Sequence, residues 1–99
     1  MARRGRFTRD GFGSAVEALM HETGTTYRAL AERTGLSAGY LNHLVHGNRP
    51  VPSNDVIATL AKALGVEPDH FVEMRVRVVT EKLTSMPELT DRLYKRYGG

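Results

Sequence analysis

From Phe12 onward, apolar residues recur at intervals of three and four, the spacing that lines them along one face of a helix. Ser14 followed by Glu17 reads as a capping box, and Val16, Leu19 and Met20 form an apolar stripe that stops at Gly24, predicting a first helix over 14–23. Tyr27, Leu30 and Ala31 continue the pattern to Gly35, which suits the left-handed backbone of a tight helix end, so a short second helix covers 26–33. Ser37 is a good N-cap for a third helix over 37–46, with Tyr40, Leu41, Leu44 and Val45 on one face and Gly47 closing it. The prolines of Asn48-Arg49-Pro50-Val51-Pro52 demand a loop. Ser53 and Asp55 then open a fourth helix, whose buried stripe is Ile57, Leu60, Ala61 and Leu64, and Pro68 with Asp69 starts a fifth.

Beyond Phe71 two patterns overlap. Arg-Val-Arg-Val-Val-Thr alternates like a strand, while Val72, Val76, Val79 and Leu83 have the spacing of a helical seam; helix is preferred, although β-branched residues also suit a strand. Ser85-Met86-Pro87-Glu88 restarts a helix with a cap, a first-turn proline and an acid, and Leu89, Leu93 and Tyr97 line one side of it. At the other end, residues 1–11 are rich in Arg and Gly and poor in apolar content, the composition of a flexible arm. The fold class predicted is all-α. Its segments are a basic arm over 1–11, a helical domain over 12–72 and a C-terminal helical extension over 73–99.

Composition narrows the function classes. At 99 residues, 40% of them hydrophobic and 25% charged, the chain is a single globular core with short appendages, too small for most multi-step enzymes. No apolar run approaches the ~20 residues of a membrane span, and the arginines of the first ten residues have no apolar stretch behind them to make a signal peptide. A cytoplasmic location with no membrane partner is expected. With no cysteine, disulfides, thiol catalysis and cysteine-ligated zinc are removed. His43 and His46 are three apart but lack a third ligand at matching spacing, so neither a metal nor another cofactor is expected, and His21, His46 and His70 read as surface residues. Ser14, Ser37 and Ser53 are explained as caps and no glycine-rich phosphate loop exists, so the chain is not read as an enzyme.

The formal net charge of +3 is unevenly distributed: +4 over residues 1–9, −2 over 10–67 and +1 over 68–99. The arm, with Arg3, Arg4, Arg6 and Arg9, supplies more than all of the excess. Within the core, Arg28, Arg33 and Arg49 face one acid, Glu32, between Thr25 and Pro50. A polyanionic partner would therefore meet the arm and this segment. Arg33, near the end of the second helix, reads instead as a solvated counterpart of the helix dipole.

Two short helices joined by about three residues that include a glycine are a helix-turn-helix signal. Leu30, Ala31, Gly35, Leu36, Leu41 and Leu44 fall where two steeply crossing helices need core anchors, a small residue at the crossing and a turn glycine. Over Thr25–Phe71, through the short loop, Leu-Ala-Lys-Ala-Leu-Gly-Val and Pro-Asp-His-Phe, the chain resembles the XRE-type, phage lambda repressor-like helix-turn-helix family. The resemblance covers about residues 12–72.

That resemblance implies a compact five-helix domain that binds double-stranded DNA as a dimer, with its third helix in the major groove. By position, Ser37, Ala38, Gly39, Asn42 and His43 fall where the family's recognition helix faces base edges. Tyr27 stands where a glutamine that bonds phosphate is usual, and Asn48 and Arg49 lie on the backbone-contacting loop. Ala38 and Gly39 replace longer polar readers, which shifts base reading toward Asn42 and His43, and Thr34 replaces a more usual apolar residue. Arg28 and the arm arginines Arg3, Arg4, Arg6 and Arg9 complete the expected phosphate contacts.

The apolar seam of Val72, Val76, Val79, Leu83, Leu89 and Leu93 is expected to make the homodimer contact, since two-fold symmetry doubles the reading of half-sites one helical turn, ~34–36 Å, apart. The simplest function is a repressor that occludes a promoter. Two alternatives stand beside it. One is the antitoxin of a toxin–antitoxin pair, whose C-terminal segment also binds a protein partner; the other is a protein-interaction module of the same fold that does not read DNA.

Overall fold

Phe71 has no exposed surface, and its ring stacks at 4.7 Å between centroids on Phe12, so the two ends of the helical domain meet in one core. A computed structural model describes residues 6–99. Its helices are α1 (Phe12–Thr23), α2 (Tyr27–Thr34), α3 (Ala38–Val45), α4 (Asn54–Leu64), α5 (Val72–Thr84) and α6 (Pro87–Leu93). A 3-10 turn over Pro68–His70 precedes α5, and a π-helical turn over Tyr94–Gly98 follows α6. There is no strand among the described residues. The fold is thus all-α, a compact helical domain with a C-terminal helical extension.

The core is the set of apolar positions that the helical spacing selects. Val16, Leu19, Leu30, Leu41, Leu44, Ile57, Leu60, Ala61 and Leu64 are all at or below 3% exposure. Each large side chain among them contributes roughly 1.5–3 kcal/mol by leaving water. Two caps expected from the sequence are in place, Ser37 accepting from Tyr40 and Ser53 from Val56, and Thr26, expected inside the second helix, instead caps it by accepting from Ala29.

Several expectations are corrected. Helix α1 starts two residues before Ser14, whose side chain makes no capping bond; Gly11 is the N-cap, and the Phe12 N–H donates instead to the Glu73 carboxylate at 3.1 Å. Burial of Phe12 at 3% explains the early start, because the ring must lie on the helix face that meets Phe71. The strand alternative after Phe71 is overturned: Val72–Thr84 is one helix, with Met74 buried on its inner face. The turn at Pro68 does not run into that helix, since Phe71 breaks it with extended backbone (φ −86, ψ 133). Nor does Ser85 cap α6; its hydroxyl donates back to the Lys82 carbonyl, and Met86 is the N-cap.

His70 is also not a surface residue. It is 4% exposed, and its Nδ1 lies 2.9 Å from the Arg6 carbonyl. The chain from Arg6 is accordingly held, where a free arm was expected over 1–11. The Thr8 N–H donates to the His70 carbonyl at 2.9 Å, and Arg75 donates to the Thr8 carbonyl while its guanidinium lies 4.5 Å from the Phe7 ring centre. Arg6 pairs with Asp69 at 2.7 Å on the exposed side. The expected contacts of Arg3 and Arg4 lie outside the described residues.

One glycine escaped notice in the sequence. A Cβ on Gly13 would stand 2.6 Å from the Val45 carbonyl oxygen and 2.8 Å from that of Leu44. Gly13 therefore sets the closest approach of α1 to the end of α3.

Candidate nucleic-acid interface

The turn between α2 and α3 is the three residues Gly35, Leu36 and Ser37. Gly35 takes φ 79, a conformation that a β-carbon would strain, and its N–H closes α2 on the Ala31 carbonyl. Thr34, where an apolar residue is more usual, finds a local role: its hydroxyl donates to the Leu30 carbonyl at 2.8 Å and accepts the Leu36 N–H at 3.2 Å. The hydroxyl thus holds both sides of the turn.

Helix α3 has two faces. Leu41, Leu44 and Val45 are buried. Ser37, Ala38, Gly39, Asn42 and His43, all expected as base readers, are exposed. Ala38, Gly39, Asn42 and His43 are joined by spacings of three and four and so share one outward stripe, with Ser37 at the N-cap. Ser37 Oγ already accepts the Tyr40 N–H at 3.0 Å, which leaves its proton free to donate outward. His46, expected as a surface residue, is exposed and extends the same stripe; its Nδ1 lies 2.7 Å from the Asn42 carbonyl, which orients the ring.

The end of α3 is closed by a Schellman pattern. The Gly47 N–H donates to the Leu44 carbonyl and the Asn48 N–H to the His43 carbonyl at 2.8 Å. Asn48 is thereby fixed to the last turn of the helix, and Arg49 follows it, both exposed. On the other side of the turn, Tyr27 is half-buried at the first position of α2, and Arg28 is exposed beside Glu32 at 3.9 Å, a solvent-screened pair of little energetic weight. Arg33 is exposed and reaches the Thr25 hydroxyl at 3.5 Å, an internal contact at the α1–α2 connection.

Arg6 and Arg9 are exposed at the opposite end of the sequence. Arg6 is already engaged with Asp69, a pairing across 63 residues that no local pattern in the sequence reveals. Among the described residues, no group of three or more His, Asp and Glu side chains is placed to hold a metal ion, and no helix is long and apolar enough to cross a membrane.

Two short crossing helices, a three-residue turn and an outward polar stripe on the second helix define a helix-turn-helix domain. The helix-turn-helix domain family matches residues 12–74, and the chain belongs to that family. Among solved structures, the clp gene regulator ClgR from Corynebacterium glutamicum is similar at 26% identity, with a TM-score of 0.56, over 88% of this chain and 90% of that one. No curated protein matches.

The family match extends past Val72 into the first turn of α5. Met74 fills the core, and Glu73 caps α1. An extension starting at residue 73 thus divides a helix whose first turn is part of the domain.

Proposed function

We propose that the chain is a DNA-binding transcription regulator of the XRE type, which lays α3 in the major groove and represses by occluding a promoter. The observation that carries this reading is the exposed stripe of Ser37, Ala38, Gly39, Asn42 and His43 on a helix anchored by Leu41 and Leu44. Asn42 and His43 supply the polar base contacts, and Ala38 and Gly39 leave room for close approach and for thymine methyl groups. Tyr27, Arg28, Asn48, Arg49 and the arm arginines Arg3, Arg4, Arg6 and Arg9 bind phosphate and fix the register. The likeness to a gene regulator supports the same reading.

Dimerisation through α5 and α6 belongs to the proposal. Val76 and Val79 are 58% and 55% exposed, while Val72, Leu83, Leu89 and Leu93 are half-buried. A second copy would cover this apolar strip and bring two reading helices onto one duplex.

Selection of bound sites from a random duplex library tests the function. Enrichment of a two-fold symmetric site is expected. Binding without sequence enrichment would overturn base reading, and absence of salt-dependent binding to any duplex would leave the protein-interaction module. A second protein that co-purifies at fixed stoichiometry and covers α5 and α6 would favour the antitoxin reading instead.

A further inference from the structure

The two arginines at the middle of α5 reach in different directions. Residues two apart on a helix point about 200° away from one another. Arg75 serves the N-terminal segment, through the carbonyls of Thr8, Asp69 and His70. Arg77 crosses to the loop that follows α3: its Nη1 donates at 2.8 Å to the Pro52 carbonyl and at 2.8 Å to Asn54 Oδ1. These bonds span 25 and 23 residues of chain, and the Arg77 side chain is half-buried in making them.

The loop is therefore pinned at both ends. At its start the Asn48 N–H is held by the His43 carbonyl, on the helix proposed to read bases. At its end Pro52 is held by Arg77, beside the Ser53 cap of α4. Arg49 stands between the two pins with its side chain exposed. A loop ordered in advance loses less freedom when it meets a ligand, so such a tie is expressed in affinity.

We infer that Arg77 is a positioning residue for the phosphate-contacting loop, holding the 48–53 segment so that Arg49 meets the DNA backbone in the register set by α3. The inference rests on the DNA-binding reading above. It links that loop to the helix that carries Val76 and Val79 on its exposed face. One nitrogen, Nη1, donates to both acceptors; a lysine ammonium keeps the charge but ends one bond short of that position.

The full chain is titrated with a mixed-sequence duplex about three helical turns long, followed by fluorescence anisotropy at several salt concentrations. Arg49→Ala is expected to weaken binding and to lower the salt slope by about one. Arg77→Gln and Arg77→Lys are each expected to weaken binding about tenfold, a coupling typical of neighbouring residues. In the Arg49→Ala background, Arg77→Gln should change affinity by no more than about twofold. A wild-type-like Arg77→Lys, a silent Arg77→Gln, or full multiplication of the Arg49 and Arg77 effects would overturn the positioning role. Failure of the wild-type chain to bind any duplex is a separate result that removes the DNA-binding reading and this inference together. Amide exchange guards against a folding defect. Arg77→Gln should speed exchange at Asn48 and Val56, whose N–H groups bond the His43 carbonyl and the Ser53 hydroxyl at the two ends of the loop, while leaving Leu41 and Leu60 protected, and a uniform loss of protection overturns the local role.

Discussion

The carboxylate of Glu73, on α5, accepts the backbone N–H of Phe12 at 3.1 Å and so caps a helix that begins 61 residues earlier. The cap joins α5 to the first helix of the domain at a part-buried contact. Glu73→Ala removes the acceptor and should lower stability by ~0.5–2 kcal/mol, the usual cost of a lost helix cap. Glu73→Gln keeps an oxygen at the same reach and should lose less. Urea unfolding of the three proteins checks the order; equal midpoints for Glu73→Ala and the wild type would show that the bond contributes nothing.

The same substitution at two glycines should change stability in opposite directions. Gly39 lies within α3, and a Cβ added there meets nothing within 4 Å. Gly39→Ala is expected to stabilise by ~0.5–1 kcal/mol, because glycine is a poor helix former. Gly13→Ala adds its methyl 2.6 Å from the Val45 carbonyl oxygen, and that backbone must move. A net loss of ~1–3 kcal/mol is expected there despite the better helix propensity. Thermal unfolding of both variants decides the matter, and a stabilised Gly13→Ala would mean that α1 and α3 are less tightly apposed.

The contrast between these sites marks what was legible in the sequence. Core positions such as Leu30, Leu41 and Leu60 were legible because the helical period of the apolar residues is a local signal. So were the caps at Ser37 and Ser53, where cap and helix are neighbours in the chain. The cap from Glu73, the burial of His70 and the tie from Arg77 join residues more than twenty positions apart, and no local pattern announces them. Gly13 was missed for the same reason: what excludes a side chain there is the backbone of another helix. On α3, the exposed positions follow from the spacing of the buried ones, so the outward stripe was readable, while the orienting contact of His46 was not.

Base readers and phosphate binders should separate in binding assays once a selected site is in hand. Asn42→Ala or His43→Ala should cost ~1–3 kcal/mol against that site and relax preference at one position of each half-site. Arg28→Ala and Arg49→Ala should weaken all duplexes alike and lower the salt slope by about one each. The comparison requires both the selected site and a scrambled one. Unchanged preference in both Asn42→Ala and His43→Ala would sink the assignment of α3 as the reading helix.

Dimerisation through α5 is tested by a charge rather than by truncation, because a chain ending at Phe71 would also lose Met74 from the core and the cap from Glu73. Val79 is 55% exposed in the single chain, so Val79→Asp should alter the fold of one protomer by no more than ~0.5 kcal/mol. An aspartate buried against a second copy is far costlier. Light scattering is expected to show a dimer for the wild type and a monomer for Val79→Asp, with the same helical circular dichroism. A variant that remains dimeric would place the contact elsewhere.

The +4 charge over residues 1–9 is best probed by a cut that respects what Arg6 and Thr8 do in the fold. Arg6 pairs with Asp69, and Thr8 bonds the His70 carbonyl, so removal of residues 1–9 mixes lost charge with lost packing. Removal of residues 1–5 takes away Arg3 and Arg4 and leaves those bonds in place. If both arginines neutralise phosphates, log K against log salt should become shallower by about 1.8, since each released counterion contributes about 0.9. Site preference should be kept, and thermal stability should stay within ~0.5 kcal/mol of the full chain. The longer cut also removes Arg6 and Arg9, so it should flatten the slope further, by about 3.6 in all, together with a lower unfolding midpoint. An unchanged slope in the shorter chain would leave non-specific affinity to Arg28, Arg49 and the remaining bases of the domain.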